Sequence, residues 1–476
     1  MKKISLFKST AWYVIGNILI RFLSFALLPI YSNLIGVTDF GNYALLISIY
    51  SIVSVVFQFG TQSVLNKFYI EEPDKFKRKL IFSTIFNSII ILGLLLIILF
   101  AINAKLLSIV IFGTNKFSVL LIIIFFTVLV DVLGVYVISL LKTNEEAKKS
   151  VYYSSIGAII NFLFNIIFVY VLNLSVNGII LAQLVSSTLV LILLTGTIKV
   201  NYVYKIDSMI FKKVLFFSLP LVFANLFTSG VNFGDRFILN HYLGRDEVGL
   251  YSFAYRIALA MNVLAVAFNS AWAPRSIKLY YRNDYKDYYG KILSALISIS
   301  CLILIVVTLL SSYLFKIHFL NITFINPIYS SGIIIIPFIM VGYIFTAISY
   351  YYSVYPYVSN KSYHFLFADF LALVINISIN IILIPKIKIM GAAIATTVAL
   401  FSSAAYMYTI SRNRIIINYR VKELLIIIIS TALILIVGLN IANLIIRLSL
   451  ILLFLLILQF GAKIKIAEII KKNYIN

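Results

Sequence analysis

The sequence predicts an all-α integral membrane protein with about 14 transmembrane helices, arranged as two six-helix lobes followed by two extra C-terminal helices. Composition gives the first argument: of 476 residues, 62% are hydrophobic and 12% charged, and the mean hydropathy is +1.06. One soluble core cannot bury that much apolar surface, so lipid is the expected solvent. Backbone groups in lipid must be paired internally, and an all-helical bundle does this.

Apolar segments define the individual spans, because a hydrocarbon layer of roughly 30 Å needs about 20 helical residues. The first segment continues from Lys8 to Leu34 without a small-residue cleavage site, so we predict a membrane helix and not a cleaved signal peptide. Pro29, Pro220 and Pro337 are expected to bend their helices. The fourteen predicted spans lie near residues 10–34, 42–66, 80–103, 118–141, 151–172, 177–198, 214–240, 249–272, 292–315, 330–356, 364–384, 390–410, 423–439 and 443–460.

The basic residues predict the orientation of these spans. Of the 39 lysines and arginines, 29 lie on the side of the N-terminus and six on the opposite side. This bias follows the positive-inside rule, so both termini are expected in the cytoplasm and the protein in the cytoplasmic membrane. The net charge of +23 then mainly reflects the basic loops on the cytoplasmic side. The expected partners of this charge are lipid headgroups rather than nucleic acid. The remaining four are the arginines inside spans: Arg21, Arg236, Arg256 and Arg447.

Cysteine and histidine usage argues against a metal centre, a cofactor or a catalytic site. Cys301 is the only cysteine, and the longest predicted loops, near 67–79 and 273–291, are short and basic. A membrane-embedded polysaccharide polymerase would carry a larger loop with clustered acids or histidines. We therefore predict that the protein is not an enzyme. Its histidines are scattered at His241, His318 and His364.

A sequence motif at the start of the second predicted span occurs twice in the chain. The stretch "LIGVTDFGNYALL" from Leu34 reappears 208 residues later as "YLGRDEVGLYSFA". In these motifs a glycine permits a tight turn, and the acidic residue is expected to cap the next helix. Chance similarity of apolar sequence is the alternative. The aligned positions are Gly36 with Gly244, Asp39 with Glu247, Gly41 with Gly249, and Tyr43 with Tyr251.

A second set of matches supports the repeat. These positions lie in the predicted fifth and sixth helices of each half, where the asparagines are expected to lock helices together by hydrogen bonds. Since six spans per repeat is an even number, the halves share one orientation and relate by an axis along the membrane normal. The predicted domains are residues 1–205, 206–415 and 416–476. The matched positions are Asn161, Asn165, Gly178 and Ala182 with Asn376, Asn380, Gly391 and Ala395.

Over roughly residues 9–411 the chain resembles the multidrug/oligosaccharidyl-lipid/polysaccharide exporter superfamily, and within it the polysaccharide flippases. The resemblance lies in "GVTDFGNYALL", "GDRFILNHYLG", "LGRDEVGLYSFAYRIA", "NFLFNIIFVYVLNLSVNGIILA" and "NISINIILIPKIKIMGAAIATTVA". It implies a V-shaped, MATE-like pair of lobes that carries undecaprenyl-pyrophosphate-linked oligosaccharide units for O-antigen or capsule synthesis, with a polymerase and chain-length proteins as partners. A lipid II flippase and a multidrug/cation antiporter are the alternatives within the superfamily.

Three arginines inside the predicted spans are the candidate substrate contacts: Arg21, Arg236 and Arg256. A charge at membrane depth costs about 2.5–3.5 kcal/mol on insertion scales, so it is expected to face a cavity or a partner. Arginine pairs bidentately with phosphate oxygens, which suits a pyrophosphate headgroup better than a cationic drug. The alternatives are that Asp235 neutralises Arg236 and that Arg256 reaches the external surface.

Three acidic residues near or within the spans are candidates for ion coupling: Asp131, Asp369 and Asp235. A carboxylate removed from water can take up a proton or a cation and so couple its movement to transport. A salt bridge between helices is the alternative interpretation for Asp131 and Asp369, and pairing with Arg236 is the alternative for Asp235.

Overall fold

The computed structural model describes residues 6–282, 284–319, 322–359 and 361–461, and these are almost entirely helical. Short π-helical turns follow α3, α7 and α18, and 3₁₀ turns follow α13 and precede α14. A two-residue hairpin pairs β1 (His318–Phe319) with β2 (Ile322–Thr323). The helices are α1 Leu6–Leu34, α2 Val37–Gln58, α3 Thr61–Val64, α4 Lys75–Ile102, α5 Ala104–Phe112, α6 Ser118–Thr143, α7 Ala147–Asn165, α8 Ser175–Leu193, α9 Thr195–Asn201, α10 Ser208–Phe233, α11 Asp235–Leu243, α12 Arg245–Tyr280, α13 Tyr285–Leu310, α14 Ile336–Tyr352, α15 Val354–Val358, α16 Tyr363–Ser411, α17 Val421–Asn440 and α18 Leu444–Leu456.

Twelve helical segments of the described chain are long and apolar enough to cross a membrane, which confirms the predicted all-helical membrane fold. Two predicted spans, near 364–384 and 390–410, share the 49-residue α16 and are separated by non-helical backbone at Ile387 and Lys388. The last predicted span is a shorter apolar helix, Leu444–Gln459. The predicted count of fourteen is therefore approximate.

The three prolines that were predicted to bend helices take two kinds of position. Pro29 lies inside α1 and Pro220 inside α10, as predicted. Pro337 was expected to interrupt a helix, but it stands in the first turn of α14. The 3₁₀ turn Pro327–Ile335 runs directly into α14, so the change from 3₁₀ to α-helix falls beside this proline.

The chain separates into two compact units, Met1–Gly249 and Leu250–Asn476. In the first unit α6 is the central helix, since 72% of its apolar window is buried, against 11% for the segment Ala147–Val171. It packs against α2, α4, α7 and α8, and α10 packs against α2. The sequence of α6 is apolar around almost the whole helix, which suits a helix that is surrounded by other helices. The division at residues 205 and 415 stays a prediction.

In the second unit an aromatic cluster joins α12, α13 and α14. The ring of Trp272 stacks on Tyr351 with centroids 5.3 Å apart, and its Nε1 donates to the backbone oxygen of Tyr351 at 3.0 Å. Tyr289 closes the cluster edge-on against Trp272 and donates its hydroxyl to Ser276 O at 2.6 Å. Every buried polar tip in this cluster thus finds a partner, as large amphipathic rings require.

Arg447, the fourth arginine inside a span, is a structural residue of the last helix pair. It is buried, and it donates to Leu309 O at 2.6 Å, Ser312 Oγ at 2.6 Å and Ile441 O at 2.7 Å. Leu309 lies in the last turn of α13, where carbonyl groups lack helical partners and carry partial negative charge. The guanidinium therefore fixes α18 to the end of α13.

The repeated motif forms the starts of α2 and α12, but its residues act differently from the prediction. Gly244 has φ 85°, which favours glycine, whereas Gly36 has φ −61°, which any residue adopts. Asp39 was predicted to cap α2. It lies inside the first turn, and its carboxylate instead accepts hydrogen bonds from Ser175 Oγ at 3.0 Å and Asn42 Nδ2 at 3.3 Å. Its charge still favours the positive end of the helix dipole.

The two copies of the motif touch each other at their second glycines. A Cβ placed on Gly41 would overlap the carbonyl oxygen of Arg245, and a Cβ on Gly249 would overlap the carbonyl oxygen of Val37. Val37 and Arg245 are themselves 208 residues apart, so the two contacts are reciprocal. Glycine is required here because the helix starts meet backbone to backbone. We call the contact of these four residues the glycine crossing.

Side-chain hydrogen bonds surround the glycine crossing. The hydroxyl of Thr38 donates to the carboxylate of Asp246, and these residues are again separated by the repeat spacing. Arg245 Nη1 reaches Asn42 Oδ1 at 3.4 Å. The contact therefore has bare backbone at its centre and polar side chains at its rim.

Candidate functional site

Arg21 lies in α1 within the apolar segment Ile15–Leu34, and its side chain is exposed. Among the described residues, no carboxylate lies within ion-pair distance of its guanidinium. Ile20 and Ser24 of the same helix line a cavity inside the first unit, but Arg21 does not. Arg21 is therefore not part of the wall of that cavity, and its charge has no acidic partner among the described residues.

Arg236 and Asp235 form a buried ion pair at the start of α11. Arg236 Nη1 lies 2.8 Å from Asp235 Oδ1, and the two side chains are 5% and 0% exposed. The same nitrogen donates to Asn232 O at 2.5 Å, and the guanidinium lies over the ring of Phe233. Such a pair satisfies both charges inside the protein. A phosphate would have to compete with Asp235 for this arginine.

Arg256 and Asp369 belong to the second unit. Arg256 lies in α12 and Asp369 in α16, and both side chains are half-buried and engaged in interactions. The structure leaves their predicted roles in substrate contact and ion coupling as predictions.

Asp131 lies at the middle of α6, and both of its carboxylate oxygens accept hydrogen bonds from hydroxyl groups. Tyr50 Oη of α2 donates to Oδ2 at 2.7 Å, and Ser187 Oγ of α8 donates to Oδ1 at 3.0 Å. The described residues include no lysine or arginine within ion-pair distance of this carboxylate. The salt bridge that was one interpretation of Asp131 is thus not formed, and its partners are neutral donors.

A chain of hydrogen bonds leads from Asp131 through the first unit. Gln183 Nε2 donates to Ser187 Oγ at 3.3 Å, and Asn161 Nδ2 donates to Gln183 Oε1 at 2.8 Å. Asn165 Nδ2 donates to Asn161 Oδ1 at 3.1 Å, and Tyr31 Oη donates to Asn165 Oδ1 at 2.7 Å. The predicted locking of helices by Asn161 and Asn165 is confirmed, since these bonds join α1, α7 and α8.

A cavity of about 310 Å³ lies along this chain. Asp131, Asn161, Gln183 and Ser187 contribute polar atoms to its wall, and Tyr153 lies on the same wall. A cavity of this size and polarity has room for several water molecules. The carboxylate therefore lies on the wall of a cavity that can hold water.

The matching asparagines of the second repeat make no such chain. Asn380 Nδ2 donates to Asn376 Oδ1 at 2.9 Å within α16, but Asn376 Nδ2 and Asn380 Oδ1 are buried without a partner. The predicted locking by these two residues is therefore not seen. By the spacing from Gly391, Thr396 stands where the first repeat has Gln183, and a threonine side chain is shorter by two heavy atoms and lacks the amide.

Sequence reasoning missed the partners of Asp131. Its direct partners Tyr50 and Ser187 lie 81 and 56 residues away from it along the chain, and Gln183, which donates to Ser187, lies 52 residues away. The available signal was weak: each is a polar residue in an apolar helix, where a hydrogen bond inside the membrane is expected. Among the described residues, no group of three or more His, Cys, Asp or Glu could hold a metal ion.

Comparison with known proteins identifies the family to which the chain belongs. The family model described as "Polysaccharide biosynthesis protein" matches residues 6–280. The "Putative O-antigen transporter" of Shigella flexneri is 23% identical over 338 residues, which cover 66% of this chain and 77% of that protein.

Solved structures show the same fold at low sequence identity. "Lipid II flippase MurJ, inward closed conformation" has a TM-score of 0.78 and 16% identity, covering 96% of this chain and 99% of that one. An inward-facing multidrug resistance MATE family transporter of the MOP superfamily has a TM-score of 0.64 and 16% identity, covering 83% and 94%. The MATE-like fold that the resemblance implies is therefore confirmed.

Proposed function

Because the chain belongs to the polysaccharide biosynthesis protein family, we propose that it flips undecaprenyl-pyrophosphate-linked oligosaccharide repeat units across the cytoplasmic membrane by alternating access. The likeness to the O-antigen transporter and the membrane-spanning fold support this proposal. Flipping moves the lipid without making or breaking a covalent bond, so it needs no catalytic residue. The units then serve O-antigen or capsule synthesis, with a polymerase and chain-length proteins downstream.

Arg21 is the observation that carries the substrate assignment. It is a cation inside an apolar span, exposed and without a carboxylate partner in the described chain. Such a charge costs about 2.5–3.5 kcal/mol on insertion scales unless something compensates it. A pyrophosphate compensates it well, because the guanidinium fork binds two phosphate oxygens at once. We assign Arg21 as the primary contact of the headgroup.

Arg236 and Arg256 are secondary contacts in this proposal. Arg236 already has Asp235 at 2.8 Å, so the substrate would bind it only by displacing or sharing that carboxylate. Arg256 is half-buried in α12. We expect smaller losses of transport from their replacement than from replacement of Arg21.

The proposed orientation places both termini in the cytoplasm, supported by the 29 to 6 distribution of basic residues. Moving an anionic headgroup outward is then favoured by the membrane potential, which contributes about 2.3 kcal/mol per charge per 100 mV. An ion can add to this driving force at one of the carboxylates Asp131, Asp369 or Asp235.

The test is surface polysaccharide in a flippase-deficient cell that is complemented with Arg21 variants at matched membrane abundance. Arg21→Lys keeps the charge but loses the bidentate fork, so we expect partial export. Arg21→Ala loses both, so we expect very little. Arg282→Ala is the matched control, because Arg282 is exposed and pairs with Asp284 outside the spans.

Export at the wild-type level by Arg21→Ala would remove Arg21 from the substrate site. Equal losses in Arg21→Ala and Arg282→Ala would point to a general effect of removing a cation, and would also contradict the assignment.

Lipid II is the second candidate substrate, favoured by the structural likeness to the lipid II flippase at a TM-score of 0.78. Both substrates carry a pyrophosphate, so the proposed contact with Arg21 applies to either of them. Complementation of a lipid II flippase deletion separates them: growth would assign lipid II, and restored surface polysaccharide without growth would assign the oligosaccharide. A cation antiporter is less well supported, since Arg21 would repel a cationic drug.

A further inference from the structure

Two cations of the second unit share one aromatic ring just beyond the end of α13. The guanidinium carbon of Arg447 and the Nζ of Lys316 each lie 5.3 Å from the centroid of the Tyr313 ring. The distance between the two cations is therefore at most twice that length. Tyr313 is itself held in place, since its hydroxyl donates to Ala442 O at 2.6 Å in the connection between α17 and α18. We call Arg447, Lys316 and Tyr313 the cation cluster.

Acidic residues do not offset these two charges. The segments that contain the cation cluster, residues 288–368 and 424–467, include no aspartate or glutamate. Among the described residues, no carboxylate lies within ion-pair distance of Arg447 or Lys316. Arg447 donates to two carbonyl groups and one hydroxyl, and the end of α13 adds only a fractional negative charge. The cation cluster thus keeps a positive charge that an anion can balance.

Arg447 has one nitrogen left for such an anion. Its Nε and Nη1 donate the three hydrogen bonds to the protein, whereas Nη2, which carries two N–H groups, donates to no described residue. The side chain is only 7% exposed, so these three bonds hold the remaining donor at a fixed place. Lys316 is exposed, and its flexible chain can bring a second donor to the same anion.

The surroundings of Arg447 favour an anion that carries acyl chains. Arg447 is the fourth residue of α18, about 5 Å from the start of the helix, where lipid headgroups are expected. Its neighbours Leu444, Ile445 and Leu448 are exposed apolar residues. In a membrane such side chains contact acyl chains, whereas a free phosphate gains nothing from them. A phosphate that belongs to a lipid therefore suits both the charge and the apolar surface.

We propose that the cation cluster binds the phosphate of an anionic phospholipid, with Arg447 Nη2 and Lys316 Nζ as the donors and the acyl chains against α18. Basic pockets between membrane helices bind lipid headgroups in this way. In the proposed orientation α13 ends outside, so the lipid belongs to the outer leaflet. The binding of this phospholipid does not depend on which lipid the protein transports.

The test is native mass spectrometry of the purified full chain in detergent, with equal amounts of phosphatidylglycerol and phosphatidylethanolamine. We expect the wild type to retain phosphatidylglycerol in preference. Lys316→Gln should weaken its binding about 5-fold, the factor that one cation beside an anionic headgroup contributes. Arg447→Lys loses the guanidinium fork and should weaken binding at least as much. Lys105→Gln is the matched control, because Lys105 is an exposed lysine of α5 on the same predicted side, and its binding should equal that of the wild type.

Lys316→Gln alone decides the test if Arg447→Lys does not fold, because the side chain of Lys316 contacts only Tyr313 among the described residues. Equal retention of the two lipids by the wild type, or unchanged binding in Lys316→Gln, overturns the proposal. An equal loss in Lys105→Gln also overturns it, since the effect would then be one of net charge.

Two competitors distinguish the sources of the phosphate. Inorganic phosphate at the same concentration should not displace phosphatidylglycerol, and displacement would assign a free anion to the cation cluster. Undecaprenyl pyrophosphate should not displace it either, and displacement at lower amounts would assign the cluster to the transported lipid. Either displacement contradicts the phospholipid assignment. Failed complementation by the wild type would refute the proposed function and leave this site standing.

Discussion

Replacing Gly41 or Gly249 by alanine should weaken the contact between the starts of α2 and α12. A Cβ on either glycine overlaps a backbone carbonyl oxygen, that of Arg245 or of Val37. A flexible side chain could move aside, but a backbone carbonyl moves only with its helix. Overpacking typically costs about 1–3 kcal/mol, and the rigid obstacle places this case in the upper half of that range, at about 2–3 kcal/mol. At that cost, the state in which the starts of α2 and α12 touch becomes about 30- to 150-fold less populated, relative to a state in which they are apart.

Disulfide cross-linking measures this population. Cysteines replacing Thr38 and Asp246, whose side chains are hydrogen-bonded, should cross-link readily in the parent protein, and the buried Cys301 should not compete. The yield should fall when Gly41→Ala or Gly249→Ala is added.

Gly36→Ala is the matched control, because Gly36 has a negative φ and nothing within 4 Å of the position of a Cβ. Its cross-linking should equal that of the parent. Unchanged yields in both Gly41→Ala and Gly249→Ala would refute the account of the glycine crossing.

Two further outcomes follow from the orientation and from the last helix pair. A cysteine at Arg245 should react with an impermeant reagent added outside the cell, and a cysteine at Lys77 should not; the reverse labelling would overturn the orientation. Arg447→Met leaves the carbonyl of Leu309 without its charged donor, so the unfolding free energy should fall by about 1–3 kcal/mol. The check is the melting temperature beside that of Arg414→Met, an exposed control, and equal melting temperatures would contradict the anchoring role.

The membrane helices could be predicted because in lipid the formation of a helix depends on the apolar segment itself and not on its tertiary contacts. A chain in lipid has to pair its own backbone, so a long apolar segment becomes a helix whatever it packs against. The break in α16 illustrates this: the predicted boundary between 384 and 390 contains the two non-helical residues, Ile387 and Lys388. Hydropathy was sufficient evidence there.

The site could be predicted only in part, because it depends on which helix faces lie together. Asp131 could be singled out as an acid in an apolar span, but Tyr50 and Ser187 reach it from distant parts of the chain. The predicted cap at Asp39 failed for a related reason. Its hydroxyl partner, Ser175, lies 136 residues away, and a local rule for helix starts does not include it.

The reciprocity of the glycine crossing bears on how such a chain arose. A six-helix ancestor that paired with its own copy would have formed both contacts from one glycine and one carbonyl, so a single mutation would have changed the contact twice. Fusion of two copies separates the two contacts, and each then mutates alone. Val37 and Arg245 are consistent with such separate change: their carbonyl groups make matching contacts, while one side chain is aliphatic and the other is a cation.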